Sequence, residues 1–279
     1  MTPVVARTDP DDERPRRHWP RRLAVSAAFV VCVLGSMIGV GVFGGPPISQ
    51  AADGLLAADG THLAPGGGAF SIWSVIYVGL GLYTVWQWWD GDSRGVALPA
   101  IASMLLNATW ILVVQAGWVF ASVVVITALL AVLAVLFVRC RRRRPAGWIE
   151  AFVTDGVFGL YLGWVCVAIC ANIAAALAGA GFDGFGVPQW WAVAVLAVVA
   201  AVGVVLAHFG GGRLGVAAAL TWGLAWIAVG RTAGEPSSTV VAVAAGTAAG
   251  LVALASVFAR LRGTPHGGRT RTGQRPAVG

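Results

Sequence analysis

The chain contains no lysine and few charged residues of any kind. Charged side chains make up 11% of its 279 residues, whereas apolar residues make up 58%. Soluble globular domains carry about a quarter charged residues, because their surfaces must face water. The composition therefore excludes an ordinary soluble domain and indicates a protein that places most of its surface against the lipid bilayer.

The residue clusters that would carry catalysis or bind a metal are also missing. The histidines are scattered, and none has a second ligand at metal-site spacing. Cys166 and Cys170 lie one helical turn apart, which fits small packing residues better than a metal site. A haem-ligating role for His62 or His208 is the remaining alternative. With no Ser/His/Asp set and no paired carboxylates, we expect no catalytic residues, no metal site and no enzymatic activity.

Eight long apolar runs divide the sequence. Only helices and closed barrels satisfy backbone polar groups in lipid, and these runs are too long and too continuous for barrel strands. The predicted transmembrane helices cover residues 23–43, 70–89, 97–117, 119–139, 150–178, 190–208, 213–230 and 238–260. Only Gly117 and Trp118 separate the third from the fourth, so that turn must be tight. The fold class is an all-α integral membrane protein of about eight helices.

The arginines predict the orientation. Every arginine except Arg231 lies near a terminus or in every second gap between the apolar runs. By the positive-inside rule, both termini are cytoplasmic and the protein is a multi-pass protein of the plasma membrane. Residues 1–22 and 263–279 are predicted to be disordered basic cytoplasmic tails. No basic domain with interleaved aromatic residues exists, so a nucleic-acid partner is not expected.

The fifth predicted helix carries a polar and aromatic stripe. At 100° per residue, Tyr161, Trp164, Ala168 and Asn172 fall within a stripe of about 80°. This stripe presents the phenol of Tyr161, the indole of Trp164 and the amide of Asn172, with the small side chain of Ala168 leaving space between them. Such a surface would suit a pocket for a flat, mostly apolar ligand. Packing between helices is the alternative interpretation, with the amide bonding a neighbouring helix.

Two other predicted helices carry matching residues. Trp73 and Tyr77 are one turn apart on the second, and Asn107 and Trp110 share a face of the third. The predicted topology places all of them in the middle to outer part of the membrane. The long loop over residues 44–69 lies on the same side, bounded by glycines and prolines. The sequence therefore predicts an outer-side pocket below this loop, which would act as a lid.

Three sequence fragments resemble the TspO/MBR family, the tryptophan-rich sensory proteins related to the mitochondrial translocator protein. The fragment FSIWSVIY is similar to the family's W-x-x-x-Y element, and LLNATW is similar to its N-x-x-W element. YLGWVCVAICAN resembles its Y-L-x-W-x-x-x-A-x-x-x-N element, and Pro65 matches one proline of its P-P element. The resemblance covers residues 23–178. Gly67 stands where the family has a tryptophan, and the loop is longer.

The resemblance implies a five-helix bundle over residues 23–178 with a ligand pocket under its first loop. It implies porphyrins or other tetrapyrroles as bound ligands, and homodimers as a common assembly. No cofactor is expected other than such a bound tetrapyrrole. Residues 179–262 would then form three additional helices. By resemblance, the ligand-binding residues are Trp73, Tyr77, Asn107, Trp110, Tyr161, Trp164, Ala168 and Asn172.

The leading hypothesis is a membrane receptor or sensor that binds a hydrophobic planar ligand, tetrapyrrole-like, in this outer-side pocket. The alternative is a transporter of tetrapyrroles or other small hydrophobic molecules. Two acidic residues near the start of the fifth predicted helix carry separate expectations. We expect Asp155 to face the additional helices or an inner vestibule, with a position at the membrane interface as the alternative. Glu150 is expected to be a solvated neutraliser of the neighbouring arginines.

Overall fold

A computed structural model describes residues 19–44, 46–48 and 50–263. Within these residues the chain is helical and contains no strand. The predicted tails lie outside the described residues at 1–18 and 264–279. The expectation of a disordered tail up to residue 22 is wrong, because the first helix begins at Trp19. Its apolar run is extended at the start by residues that include two arginines.

Eight helices are long and apolar enough to cross a membrane, which confirms the eight predicted spans. A short 3-10 turn, Gly67–Ser71, precedes the second of them. The helices are α1 (Trp19–Gly39), α2 (Ile72–Trp86), α3 (Ala97–Gln115), α4 (Val119–Arg142), α5 (Trp148–Gly179), α6 (Pro188–Gly210), α7 (Leu214–Ala233) and α8 (Thr239–Gly263). The turn between α3 and α4 is as tight as predicted. Gly117 turns the chain there with a φ of 76°, a conformation that glycine adopts without strain.

Helix α5 lies at the centre of the bundle. It packs against α2, α4 and α7. Five consecutive residues, Tyr161 to Val165, are all buried. Because successive residues point 100° apart around a helix, burial of five in a row means that α5 is covered on every side at this level. Any side chain on this stretch of α5 therefore faces the protein interior.

Glycines bring α5 and α7 into direct backbone contact. A Cβ built on Gly163 would lie 2.4 Å from the carbonyl oxygen of Val216, and one on Gly215 would lie 2.5 Å from the carbonyl oxygen of Gly156. Small residues of this kind let transmembrane helices approach closely. Helices α6 and α8 pack on each other, and α8 packs on α7. The last three helices are thus attached to the first five through the α5–α7 interface.

One end of the bundle, here called the arginine end, gathers the start of α1, the turn between α6 and α7 and the end of α8. The opposite end, the loop end, carries the loop between α1 and α2. The described arginines at the arginine end are Arg21, Arg22, Arg94, Arg139, Arg141, Arg142, Arg143, Arg144, Arg213, Arg260 and Arg262. The loop end carries Arg231. The two ends therefore differ sharply in charge, as the sequence indicates.

Largely buried ion pairs join three segments at the arginine end: the α2–α3 connection, the start of α5 and the turn between α6 and α7. Asp155 forms ion pairs with Arg94 at 2.5 Å and with Arg213 at 2.9 Å, so it faces the turn that leads into the additional helices. Glu150 is 7% exposed and pairs with Arg94 at 3.3 Å. The expectation of a solvated Glu150 is therefore wrong. The guanidinium of Arg94, in the α2–α3 connection, is buried and pairs with the carboxylate of Glu150 as well as with that of Asp155. A π-helical segment of α5, Ala151–Gly156, carries Asp155 to this position.

The glycine contact between α5 and α7 predicts the effect of one methyl group. We expect Gly163→Ala to lower the free energy of unfolding by about 1–3 kcal/mol. The new Cβ would lie 2.4 Å from the carbonyl oxygen of Val216, which can move away only if the backbone of α7 shifts. The measurement is the apparent melting temperature of the purified protein in detergent. Gly246→Ala on α8 is the matched control, because a Cβ there meets nothing within 4 Å. An unchanged melting temperature for Gly163→Ala would contradict this packing.

Candidate ligand-binding site

Helix α7 holds the α1–α2 loop over the bundle through a buried arginine. Arg231 is 1% exposed, and its guanidinium donates to the carbonyl oxygens of Thr61 at 2.9 Å and Ala58 at 2.7 Å. A further bond of 3.4 Å reaches the carbonyl of Ala64. Arg231 is the arginine that departs from the topological pattern. Its position is explained by the rigid fork of donors that it offers to several loop carbonyls at once.

Two tryptophans of α7 anchor the end of the same loop. The Trp222 ring nitrogen donates to the carbonyl of Ala69 at 3.0 Å, and the backbone N–H of Gly66 donates to the carbonyl of Trp226 at 3.0 Å. A Cβ on Gly68 would lie 2.2 Å from the Trp226 ring, so the loop backbone rests directly on the indole. Helix α7 therefore fixes the loop from Ala58 to Ala69.

A small cavity lies beneath the loop. Six of the eight sequence-predicted site residues line it: Trp73, Asn107, Trp110, Trp164, Ala168 and Asn172. The other lining residues are Ile48, Leu55, Leu56, Ala64, Pro65, Phe70, Ile126, Leu129, Val165 and Ala171. Its volume is about 40 Å³. A water needs roughly 10–15 Å³ on this measure, so the cavity accommodates a few waters but no planar ring system in this conformation.

A larger cleft of about 530 Å³ adjoins the cavity, between α1, α2 and α3. The cleft and the cavity share four lining residues: Ile48, Phe70, Trp73 and Trp110. Tyr77 lines the cleft and not the cavity. Its ring is stacked with that of Trp73, with centroids 5.5 Å apart. The cleft therefore offers two parallel aromatic rings next to the closed cavity.

Tyr161 belongs to neither lining. It is fully buried, its hydroxyl donates to the carbonyl of Ser103 at 3.4 Å, and its ring contacts Trp73 edge to face at 5.8 Å. The structure thus places Tyr161 behind the aromatic wall, where it supports Trp73, and not on the surface that a ligand would touch.

Asn172 joins three helices through its side-chain amide. The Trp110 ring nitrogen donates to its oxygen at 2.7 Å, and its nitrogen donates to the Ser122 hydroxyl at 2.8 Å. Both ends of the amide are therefore occupied by protein, so Asn172 orients Trp110 on the cavity wall. Sequence reasoning missed Ser122. The available signal was its stripe with Ile126 and Leu129, at helical spacing on α4.

Two buried polar atoms on the cavity residues have no hydrogen-bond partner among the described residues: the side-chain oxygen of Asn107 and the ring nitrogen of Trp164. The nitrogen of Asn107 donates to the Tyr77 hydroxyl at 2.9 Å. Exchanging the amide oxygen and nitrogen would leave the other atom unpartnered, so one polar atom is free in either orientation. Leaving a buried polar group unpaired costs about 1–3 kcal/mol. Two residues of a largely apolar cavity wall therefore carry an unmet capacity for hydrogen bonds.

The Arg231 contacts predict that the stability of the α1–α2 loop depends on this one side chain. We expect Arg231→Met to keep the apolar stem but to free residues 58–66, because the carbonyls it serves lose their donor. Hydrogen exchange measured by mass spectrometry should become at least about tenfold faster in this segment, corresponding to a loss of about 1.4 kcal/mol or more. Arg142→Met, which removes an exposed arginine at the arginine end, should leave the loop unchanged. Equal exchange in both variants would contradict the anchoring role.

Comparison with known proteins extends the resemblance. A sequence model described as TSPO-like protein matches residues 22–258, from the first turn of α1 to the last turns of α8. No curated protein and no solved structure gave a match. The match confirms the resemblance carried by the motifs of α2, α3 and α5, and it also takes in α6, α7 and α8. Since it spans most of the chain, this multi-pass membrane protein belongs to the TSPO-like protein family.

Proposed function

We propose that this protein is a membrane receptor or sensor that binds a hydrophobic planar ligand of the tetrapyrrole type beneath the α1–α2 loop. The observation that carries the proposal is the pair of buried, unpartnered atoms on Asn107 and Trp164, two residues that line a cavity with mostly aromatic and aliphatic walls. Ligand sites are mostly apolar with a few placed polar groups. An unmet acceptor and an unmet donor on such a wall fit a ring system that has polar atoms at its edge.

The aromatic residues supply the binding surface. Trp73 and Trp110 line both the cavity and the cleft, so a flat ligand that entered from the cleft would contact both indoles. Offset or edge-to-face contacts between rings contribute about 0.5–1.5 kcal/mol beyond the burial of their area. Asn107 would accept a bond from a ligand N–H or O–H group, and Trp164 would donate to a ligand nitrogen or oxygen. Asn172 would act indirectly, by holding Trp110.

Entry requires a change in the loop. The cleft, at about 530 Å³, falls within the roughly 300–1,000 Å³ typical of small-molecule sites, whereas the cavity does not. A ligand would therefore occupy the cleft first and reach Asn107 and Trp164 only as Leu55, Leu56 and Pro65 move away. Binding coupled to loop displacement gives the protein two states, which a sensor requires.

Two features favour a receptor over a carrier or an enzyme. At the arginine end, the ion pairs of Asp155 with Arg94 and Arg213 tie the α2–α3 connection and the α6–α7 turn to α5, which favours a fixed end over one that opens for transport. The described polar groups on the cavity wall are amides and indoles, which form hydrogen bonds but do not provide an acid–base pair near neutral pH. We propose binding without conversion of the ligand.

Titration of the protein with protoporphyrin, followed by the absorbance of the porphyrin, tests this proposal. We expect saturable binding, and a roughly fivefold weaker Kd for Trp164→Phe, which keeps a ring but removes the donor. Trp118→Phe is the matched control, because Trp118 is 66% exposed at the turn between α3 and α4. Either non-saturable uptake or identical affinities of wild type and Trp164→Phe would count against the proposal.

We further propose that the arginine end faces the cytoplasm, as the positive-inside rule requires. Cysteine labelling in intact cells tests the orientation, in a background whose native cysteines are replaced by alanine. An impermeant maleimide should label Ala180→Cys, at the loop end, and should label Ala146→Cys, at the arginine end, only after permeabilisation. Both positions are exposed alanines. The reverse pattern would place the loop end in the cytoplasm.

A further inference from the structure

A second concave site lies between α5 and α6 at the loop end. These helices are consecutive in the chain but contact each other little, because α5 packs on α2, α4 and α7 while α6 packs mainly on α8. The space between them encloses about 450 Å³. Cys170, Ala174 and Leu177 of α5 form one wall, and Trp191 and Val195 of α6 form the other. We call this space the α5–α6 groove.

The α5–α6 groove is separate from the tryptophan-lined cavity. The described linings of the two sites have no residue in common, because they lie on different faces of α5. The α1–α2 loop covers both with adjacent segments. Thr61, His62 and Leu63 border the groove, whereas Ala64 and Pro65 border the cavity.

The roof of the groove presents unmet hydrogen-bonding capacity. The hydroxyl oxygen of Thr61 and the Nδ1 atom of His62 are buried and have no partner among the described residues. The backbone carbonyl of Thr61 is occupied by Arg231, but its hydroxyl is not. Buried polar atoms are normally paired with protein, water or ligand. A polar group at the top of the groove would satisfy both atoms.

The charges around the roof favour an uncharged polar group. Burial and, next, the positive charge of Arg231 lower the pKa of His62, so its imidazole is neutral at neutral pH. Asp183 on the groove lining and Arg231 beneath the loop carry opposite charges, so a charged head group of either sign is attracted by one and repelled by the other, and neither sign is selected. A hydroxyl group both donates and accepts, so it fits Thr61 and either tautomer of His62.

The side of the groove opens towards lipid. Ile173 and Leu177 line it and are 40% and 43% exposed on a helix that is long and apolar enough to cross a membrane. We propose that the α5–α6 groove binds an uncharged amphiphile from the bilayer, with its hydroxyl head at Thr61 and His62 and its hydrocarbon body along Ala174 and Val195. Its volume lies within the roughly 300–1,000 Å³ of small-molecule sites. The observations behind this proposal are separate from those behind tetrapyrrole binding, because the two described linings share no residue.

Photolabelling of the full-length protein in lipid nanodiscs tests the site. The probe is a monoacylglycerol that carries a diazirine in its acyl chain, and peptide mass spectrometry maps the adducts. We expect adducts on residues 170–178 and 188–195, with half-saturation at a lower concentration than for the corresponding diazirine fatty acid, whose head is anionic. Thr61→Val removes only the unpartnered hydroxyl and should raise the half-saturating concentration about fivefold.

Two tryptophan variants separate binding in the groove from general contact with lipid. Ala174→Trp fills the groove and should abolish saturable labelling, whereas Ala197→Trp, on the opposite face of α6, should not. Trp164→Phe, in the cavity, should also leave labelling unchanged. Equal labelling of Ala174→Trp and Ala197→Trp, or adducts spread evenly over lipid-facing residues, would overturn the proposal. So would a Thr61→Val variant that is folded and labels as the wild type does.

Discussion

The direct contact between the backbones of α5 and α7 is the constraint on which the rest of the structure depends. Gly163 and Gly215 allow each helix to approach the other's carbonyl oxygens, and no larger residue fits at either position. Helix α5 carries Trp164 on the cavity wall, and α7 carries Arg231, which holds the loop from beneath. One interface thus sets the distance between the floor of the site and its cover. The last three helices therefore help to determine the geometry of the site, because α7 is one of them.

The charged residues at the arginine end have a structural role in addition to the topological one. Arg94 is buried among Glu150, Thr154 and Asp155, at the level where α5 adopts its π-helical turn. Breaking a buried pair by removing one partner costs about 3–5 kcal/mol, because the remaining charge is left in the protein interior. A π-helical turn widens the helix and is frequent at functional positions. Here it allows Asp155 to reach arginines from two different connections.

Much of the fold follows from the sequence, but the site follows only in part. The apolar runs and glycine turn predict all eight helices, and helical spacing brings Trp73, Asn107 and Trp164 to one depth. The angular position of a residue around a helix predicts the direction of its side chain, but it does not predict which neighbouring side chain packs in front of it. Tyr161 therefore shares the stripe of Trp164 yet lies behind Trp73. The Arg231 contacts join segments far apart in sequence, and no periodic pattern marks such contacts. The closed state of the cavity depends on them.

The α1–α2 loop is mechanically a single cover over two sites. The carbonyls that Arg231 binds lie within or beside the segments that border the two sites: Thr61 borders the groove, Ala64 borders the cavity, and Ala58 lies between the two segments. Lifting Leu55 and Pro65 to enlarge the cavity therefore strains the same bonds that keep His62 over the groove. A ligand that favours one position of this loop changes the free energy of binding at the other site. By thermodynamic linkage, a ligand at that other site changes the free energy of binding at the first site by the same amount. The strength of the Arg231 contacts limits how large that coupling is.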